Sequence, residues 1–129
     1  MSGETDLHKM LQQLDPELHP GSFVFCMLPS EKSIEDLNPI CSFQEEEGIS
    51  LILAQEVADR FGVDYTFVAA WITLKVHSAL DAVGLTAVVS SALAEAGISC
   101  NIVAGNCHDH LFVPYEQRNL AVKILNQLK

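Results

Sequence analysis

Positive charge is scarce in this sequence: 7 Lys and Arg stand against 17 Asp and Glu, for a formal net charge of −10. Such a surface repels nucleic-acid phosphates and anionic lipid headgroups, so no nucleic-acid or membrane partner is expected. Long apolar runs are missing too. None approaches the roughly 20 residues of a membrane-crossing helix, and the opening MSGETDLHKM has neither the charged nor the apolar region of a secretion signal. The expectation is a soluble, cytoplasmic protein. Cys26, Cys41, Cys100 and Cys107 are irregularly spaced and form no paired-cysteine metal box. Three of them fall in expected strands, where a reduced thiol behaves as a small hydrophobe, and no disulfide is expected. A strained nucleophile elbow and a glycine-rich phosphate loop are also lacking. The chain is therefore expected to be no enzyme, with no cofactor and no metal.

What is present is enough apolar sequence, 49% of 129 residues, for one compact domain or two very small ones sharing a core. Asp6 to Leu14 has helical spacing, with Asp6 able to cap its start and Asp15-Pro16 closing it. Pro20-Gly21 breaks the chain before a buried strand over Ser22 to Leu28. Ser30 to Asn38 is polar and acidic and reads as a loop with at most one helical turn. Strands follow over Pro39 to Gln44 and Ile49 to Leu53, separated by the acidic turn Glu45-Glu46-Glu47-Gly48, and then a helix over Ala54 to Phe61 stopped by Gly62.

From Tyr65 to His77 the chain is extended, with Ile72, Leu74 and Val76 alternating against Trp71, Thr73, Lys75 and His77. After Gly84 a helix carries Leu85, Val88, Val89, Ala92, Leu93 and Ala96 in one apolar stripe ended by Gly97. Ile98 to Ala104 and Cys107 to Val113 read as a hairpin around Gly105-Asn106, and Pro114 opens a final helix whose buried side holds Leu120, Ala121, Ile124, Leu125 and Leu128. Two similar units are implied, 1–68 and 69–129. The fold class is α+β, with two ferredoxin-like (βαββαβ-type) units whose helices cover one face of an antiparallel sheet. The second unit ends after its helix and lacks its final strand. Ser22 to Leu28 or Ile49 to Leu53 could fill the open edge, which would leave the face bearing Trp71, His77, His108 and Phe112 for a second chain.

The runs SALDAVGLTAVVSSALAEAGI, NIVAG and HDHLFVP resemble the ACT domain, a small regulatory module that binds amino acids. In outline the whole chain resembles stand-alone bacterial proteins with two ACT-like units and no attached enzyme, the first unit being degenerate. The resemblance implies a non-catalytic regulatory or sensor protein, a homo-oligomer, with a small-molecule ligand, an amino acid, at the loop after the strand and the start of the helix. Those positions are Ser78, Leu80, Asp81, Ala82, Val83, Gly84 and Leu85. Free N–H groups at the positive end of a helix suit a carboxylate, Gly84 would let a ligand approach the backbone, and Asp81 could take an ammonium. Glu47 is a second candidate for that ammonium.

Other readings of these residues stay open. An Asp before a helix also serves as a plain cap, Gly84 can serve packing, and acidic turns such as the one holding Glu47 are commonly solvated tips. His108 and His110 share a strand face with His77, which allows a histidine metal site or simply a hydrogen-bonded polar face. A Ser78, His77 or His108, Asp81 triad would match in residue type only. The rival function class is a structural or interaction module whose ligand site is vestigial.

Overall fold

The computed structural model describes residues 6–29, 34–76 and 79–129. In chain order the elements are helix α1 (Leu7–Gln12), strands β1 (Pro16–Leu18) and β2 (Phe23–Leu28), a 3-10 turn at Glu35–Leu37, strands β3 (Cys41–Glu45) and β4 (Gly48–Ala54), helix α2 (Gln55–Phe61), strand β5 (Val68–Leu74), helix α3 (Leu85–Glu95), strands β6 (Asn101–Ala104) and β7 (Asp109–Pro114), a 3-10 turn at Tyr115–Gln117, and helix α4 (Arg118–Asn126). They form two compact units. One is residues 21–69; the other combines 1–20 with 70–129. The first 20 residues, grouped in the sequence reading with 21–68, thus pack with the C-terminal residues.

The unit of residues 21–69 has the strand order β3-β4-β2, with Val68 and Ala69 of β5 pairing Val24 and Phe23. The two hairpin partnerships run in register from Phe23↔Ala54 to Leu28↔Ile49 and from Cys41↔Ile52 to Glu45↔Gly48. Alternation along these strands sends Val24, Cys26, Leu51 and Leu53 to one face, where Ala58 of α2 and Leu37 of the 3-10 turn close a small core. This is the ferredoxin-like plan with its first helix reduced to a turn.

The other unit has the order β1-β5-β7-β6. Ala70, Ile72 and Leu74 of β5 and Leu111 and Val113 of β7 face Leu85, Val89 and Leu93 of α3, Ala121 and Leu125 of α4, and Met10 and Leu14 from α1 and the residues after it. The fourth strand is β1, which pairs antiparallel with β5 through Pro16↔Leu74, Glu17↔Thr73 and Leu18↔Ile72. The open edge is therefore filled, by Pro16–Leu18 along Ile72–Leu74, while Phe23 and Val24 of the expected strand 22–28 pair with Ala69 and Val68 of the same β5. Of the face expected to meet a second chain, Phe112 is 1% exposed within one chain, Trp71 and His108 are half-buried, and His77 lies outside the described residues.

Several boundaries shift for local reasons. Asp6 caps α1 as expected, its carboxylate accepting from the Lys9 N–H at 3.2 Å. Ile98 donates its N–H to the Leu93 carbonyl, so 98–100 finish the helix end and β6 starts only at Asn101. The β6–β7 connection uses four residues, Gly105 to His108, closed by the Gly105 N–H on the His108 carbonyl at 2.9 Å. Pro114 ends β7 and a 3-10 turn precedes α4, whose Leu120 is 46% exposed instead of buried. Among the described residues no helix is long and apolar enough to cross a membrane.

Candidate functional site

In the unit built by 1–20 and 70–129, the chain leaves β5 with Val76 still buried, turns through Ala79–Ala82 with the Ala82 N–H on the Ala79 carbonyl at 3.0 Å, and enters α3 at Gly84. Gly84 has φ 105, no side chain caps the helix start, and no acidic residue stands in the first turn. The leading N–H groups of an α-helix have no acceptor inside the helix, and here neither a side-chain cap nor an acid in the first turn meets them.

A cavity of about 240 Å³ opens at this point. One wall is the loop and helix start, with Ala79, Leu80, Ala82, Leu85 and Thr86; the other is the hairpin, with Ala104, Gly105 and Asp109. Asp109 begins β7 in phase with the core residues Leu111 and Val113, so its side chain shares the helix-covered face. It is only 8% exposed, and its carboxylate has no hydrogen-bond partner among the described residues. Burial pushes this carboxyl above the ordinary aspartate value, against the smaller opposing pull of His110 and His108.

The residues expected at a ligand site divide as follows. Leu80, Ala82 and Leu85 line the cavity. Asp81 and Val83 are exposed and line no part of it. Gly84 forms the helix start with a left-handed backbone, and the space where a Cβ would stand is held by Leu7 of α1, whose Cδ2 lies 3.0 Å away, so packing alone already calls for glycine here. Glu47 is an exposed turn residue between β3 and β4, in the unit of residues 21–69. Ser78 and His77 lie outside the described residues, and with them any triad reading. Asp109 went unrecognised as a cavity residue, although HDHLFVP carried the signal: an acid two and four residues before apolar side chains of one strand face.

The opposite face of the same sheet carries a second polar group. The Trp71 indole N–H donates to His110 Nδ1 at 3.1 Å, Thr73 Oγ1 lies 3.0 Å from that Nδ1 and 2.7 Å from His19 Nε2, and the His19 ring stacks on Trp71 with centroids 3.6 Å apart. An indole nitrogen can only donate, so His110 Nδ1 accepts and that imidazole is neutral; Thr73 then donates to it and accepts from the Nε2–H of His19. Burial lowers both from the usual histidine value, most directly in His110, where His108 and His19 add to the effect. Their nitrogens are turned onto Thr73 and Trp71 instead of converging on an ion, and among the described residues no group of three or more His, Cys, Asp or Glu is placed to hold a metal.

Two ferredoxin-like units in one short chain, one of them with a cavity at its first helix start, define a tandem module of a known kind. The chain matches the ACT domain over residues 2–70 and again over 67–127, and it belongs to the ACT family. It is 42% identical to a protein of unknown function from Vibrio cholerae, described as a possible transport protein, with a TM-score of 0.85 over 92% of each chain. The regulatory subunit of aspartate kinase from Thermus thermophilus superposes at TM-score 0.59 with 9% identity, over 88% of this chain and 95% of that one. Aspartokinase III of E. coli, in complex with aspartate and ADP, does so at 0.60 with 14% identity, over 89% of this chain and 32% of that one. At such identities the last two share the fold alone. A search of the curated proteins finds no match.

Proposed function

We propose that this chain is a small non-catalytic regulatory or sensor protein that binds an amino acid at the start of α3. The observation that carries the reading is the cavity of about 240 Å³ against a helix N-terminus that neither a side-chain cap nor an acidic first turn neutralises, in a chain of the ACT family. Backbone N–H groups of the first turn would receive the ligand carboxylate, and Leu80, Ala82 and Leu85 would contact its aliphatic part. A cavity of this size suits a small molecule such as an amino acid.

The test is a thermal-shift and calorimetric screen against the twenty amino acids. A ligand at 100 times its Kd stabilises the native state by about 2.7 kcal/mol, a readily measured rise in Tm. No shift with any of them at millimolar concentration sinks the proposal and favours an interaction module with a vestigial site. Self-association is part of the proposal. In its own sheet β3 is the outer strand, and Phe43 at its centre is 71% exposed, an open edge of the sort that pairs with another chain. A single monomer boundary in sedimentation velocity at micromolar concentration would remove that part.

A further inference from the structure

The cavity pairs the positive end of a helix with a buried acid, and only the first of these is explained by a ligand carboxylate. Asp109 is more than nine-tenths buried, lines the hairpin wall, and finds no hydrogen-bond donor among the described residues. Its oxygens are not among the side-chain atoms shut off from solvent, so the carboxylate meets the cavity itself, where a donor on a ligand can complete it. It does not cap α3, because no side chain accepts from that helix start. Among the described residues no Lys or Arg lines the cavity, and the remaining lining is Thr86, Gly105 and apolar side chains.

We infer that Asp109 is the ammonium receptor of the site, and that the ligand is a compact aliphatic α-amino acid bound as a zwitterion, with its carboxylate on the α3 start and its ammonium on Asp109. This rests on the proposed function and narrows it. The two walls carry opposite electrostatic signs, so a ligand bearing both charges satisfies both, whereas a simple carboxylate would leave Asp109 unpaired beside a second anion. With no lining cation, an acidic side chain on the ligand has nothing to meet. A long basic side chain would find only the one acid, already taken. Raised by burial, the Asp109 carboxyl is held in the empty site as the protonated, less costly form more readily than an exposed aspartate, and a bound ammonium reverses that preference.

The experiment is calorimetry of the full chain with L-valine, L-leucine and L-isoleucine, and with the corresponding 2-oxo acids, which keep the carboxylate and the side chain but lack the ammonium. The parent is expected to bind at least one of the amino acids and to bind its 2-oxo acid about 10- to 100-fold more weakly, the worth of a hydrogen bond to a charged group. Asp109→Asn is expected to lose the same factor for the amino acid. Glu95→Gln, an exposed acid at the far end of α3, should bind as the parent does. Asp109→Asn removes a buried charge without changing shape, and circular dichroism with a melting curve verifies that it folds. An amino acid that binds equally well to parent and Asp109→Asn, or a 2-oxo acid that binds as tightly as its amino acid, overturns the Asp109 assignment and leaves amino-acid binding standing. If neither these three nor any other amino acid binds the parent, both the assignment and the proposed function fall.

Discussion

In each ACT unit one strand leads into the segment that the fold plan gives to its first helix, and the two segments differ sharply. After β5 stands α3, 11 residues long, with a glycine start, no acid in its first turn and three buried side chains, Leu85, Val89 and Leu93. After β2 stands a three-residue 3-10 turn whose only buried anchor is Leu37 and whose first turn carries Glu35 and Asp36. The lesson is electrostatic as well as geometric. The start of the longer helix carries no acid in its first turn, while the short turn brings Glu35 and Asp36 of its own, which would repel an anion.

That contrast can be broken or sharpened by substitution. The largest effect is expected at Gly48→Val in the β3–β4 turn. Gly48 has φ 148, and an added Cβ would stand 2.3 Å from the Leu28 carbonyl oxygen, so stability should fall by about 3 kcal/mol or more in urea denaturation. Next come the anchors of the two segments. Leu93→Ala in α3, fully buried, should lose about 3 kcal/mol, and Leu37→Ala, 5% exposed in the 3-10 turn, about 2 kcal/mol. If Leu37 proved the costlier loss, the short turn would be the firmer structure and the contrast would fail.

Asp109→Asn should make the ligand-free protein slightly more stable at neutral pH, since partial burial disfavours the charged form of this carboxyl. The sign follows from its raised folded-state pKa. Its contribution is most favourable below the ordinary value of 3.8 and is lost as pH rises through the higher folded value, so the advantage of the variant should shrink on acidification. An advantage that grew toward acid would show that the carboxylate is stabilised, not strained. His110 works in the opposite direction. Its folded pKa lies below 6.5, so stability is full above that pH and is lost as pH falls through the lowered value; His110→Asn should flatten this acid-side loss in melting curves recorded across the range. The smallest effect concerns α3 itself: Ala87→Asp, placing an exposed acid in the first turn as in the other unit, should weaken amino-acid binding about 2- to 5-fold while leaving the fold intact.

Much of the fold was legible because its signals are local. The stripe of α3, the alternation of β5 and β7 and the glycine after α2 each declare themselves within one or two turns of chain; the structure keeps them, the stripe through Leu85, Val89 and Leu93, while Ala96 lies exposed past the helix end. Pro16–Leu18 did not, since three residues opening with proline have no period to read and become a strand only by pairing with Ile72, Thr73 and Leu74. Ile98 misled in a different way. It alternates correctly with Cys100 and Ile102, yet its N–H is committed to the end of α3, a hydrogen bond that periodicity cannot see. The loop and helix start of the cavity were readable from motif and dipole together. Asp109 needed the register of the hairpin, because an acid at an inward strand position is informative only once it is known which face the helices cover.

The pairing of β1 with β5 has a consequence for how the chain is made. His19 and its partner Thr73 are 54 positions apart, so the unit that is begun first must be finished last. At about 5 to 20 residues per second of synthesis, Met10 and Leu14 wait several seconds or more for the strand and helices that bury them. Residues 21–69 have their own core and need not wait. Once they fold, Phe23 pairs with Ala69 and the two ends of that segment are already side by side. The loop to be closed before β1 can meet β5 then shrinks from about fifty residues to a handful, a saving in loop entropy of about 2 kcal/mol. By this route the insert that interrupts its neighbour in sequence becomes the template on which the neighbour's two halves are joined, and a lesion such as Gly48→Val would delay the folding of residues it never touches.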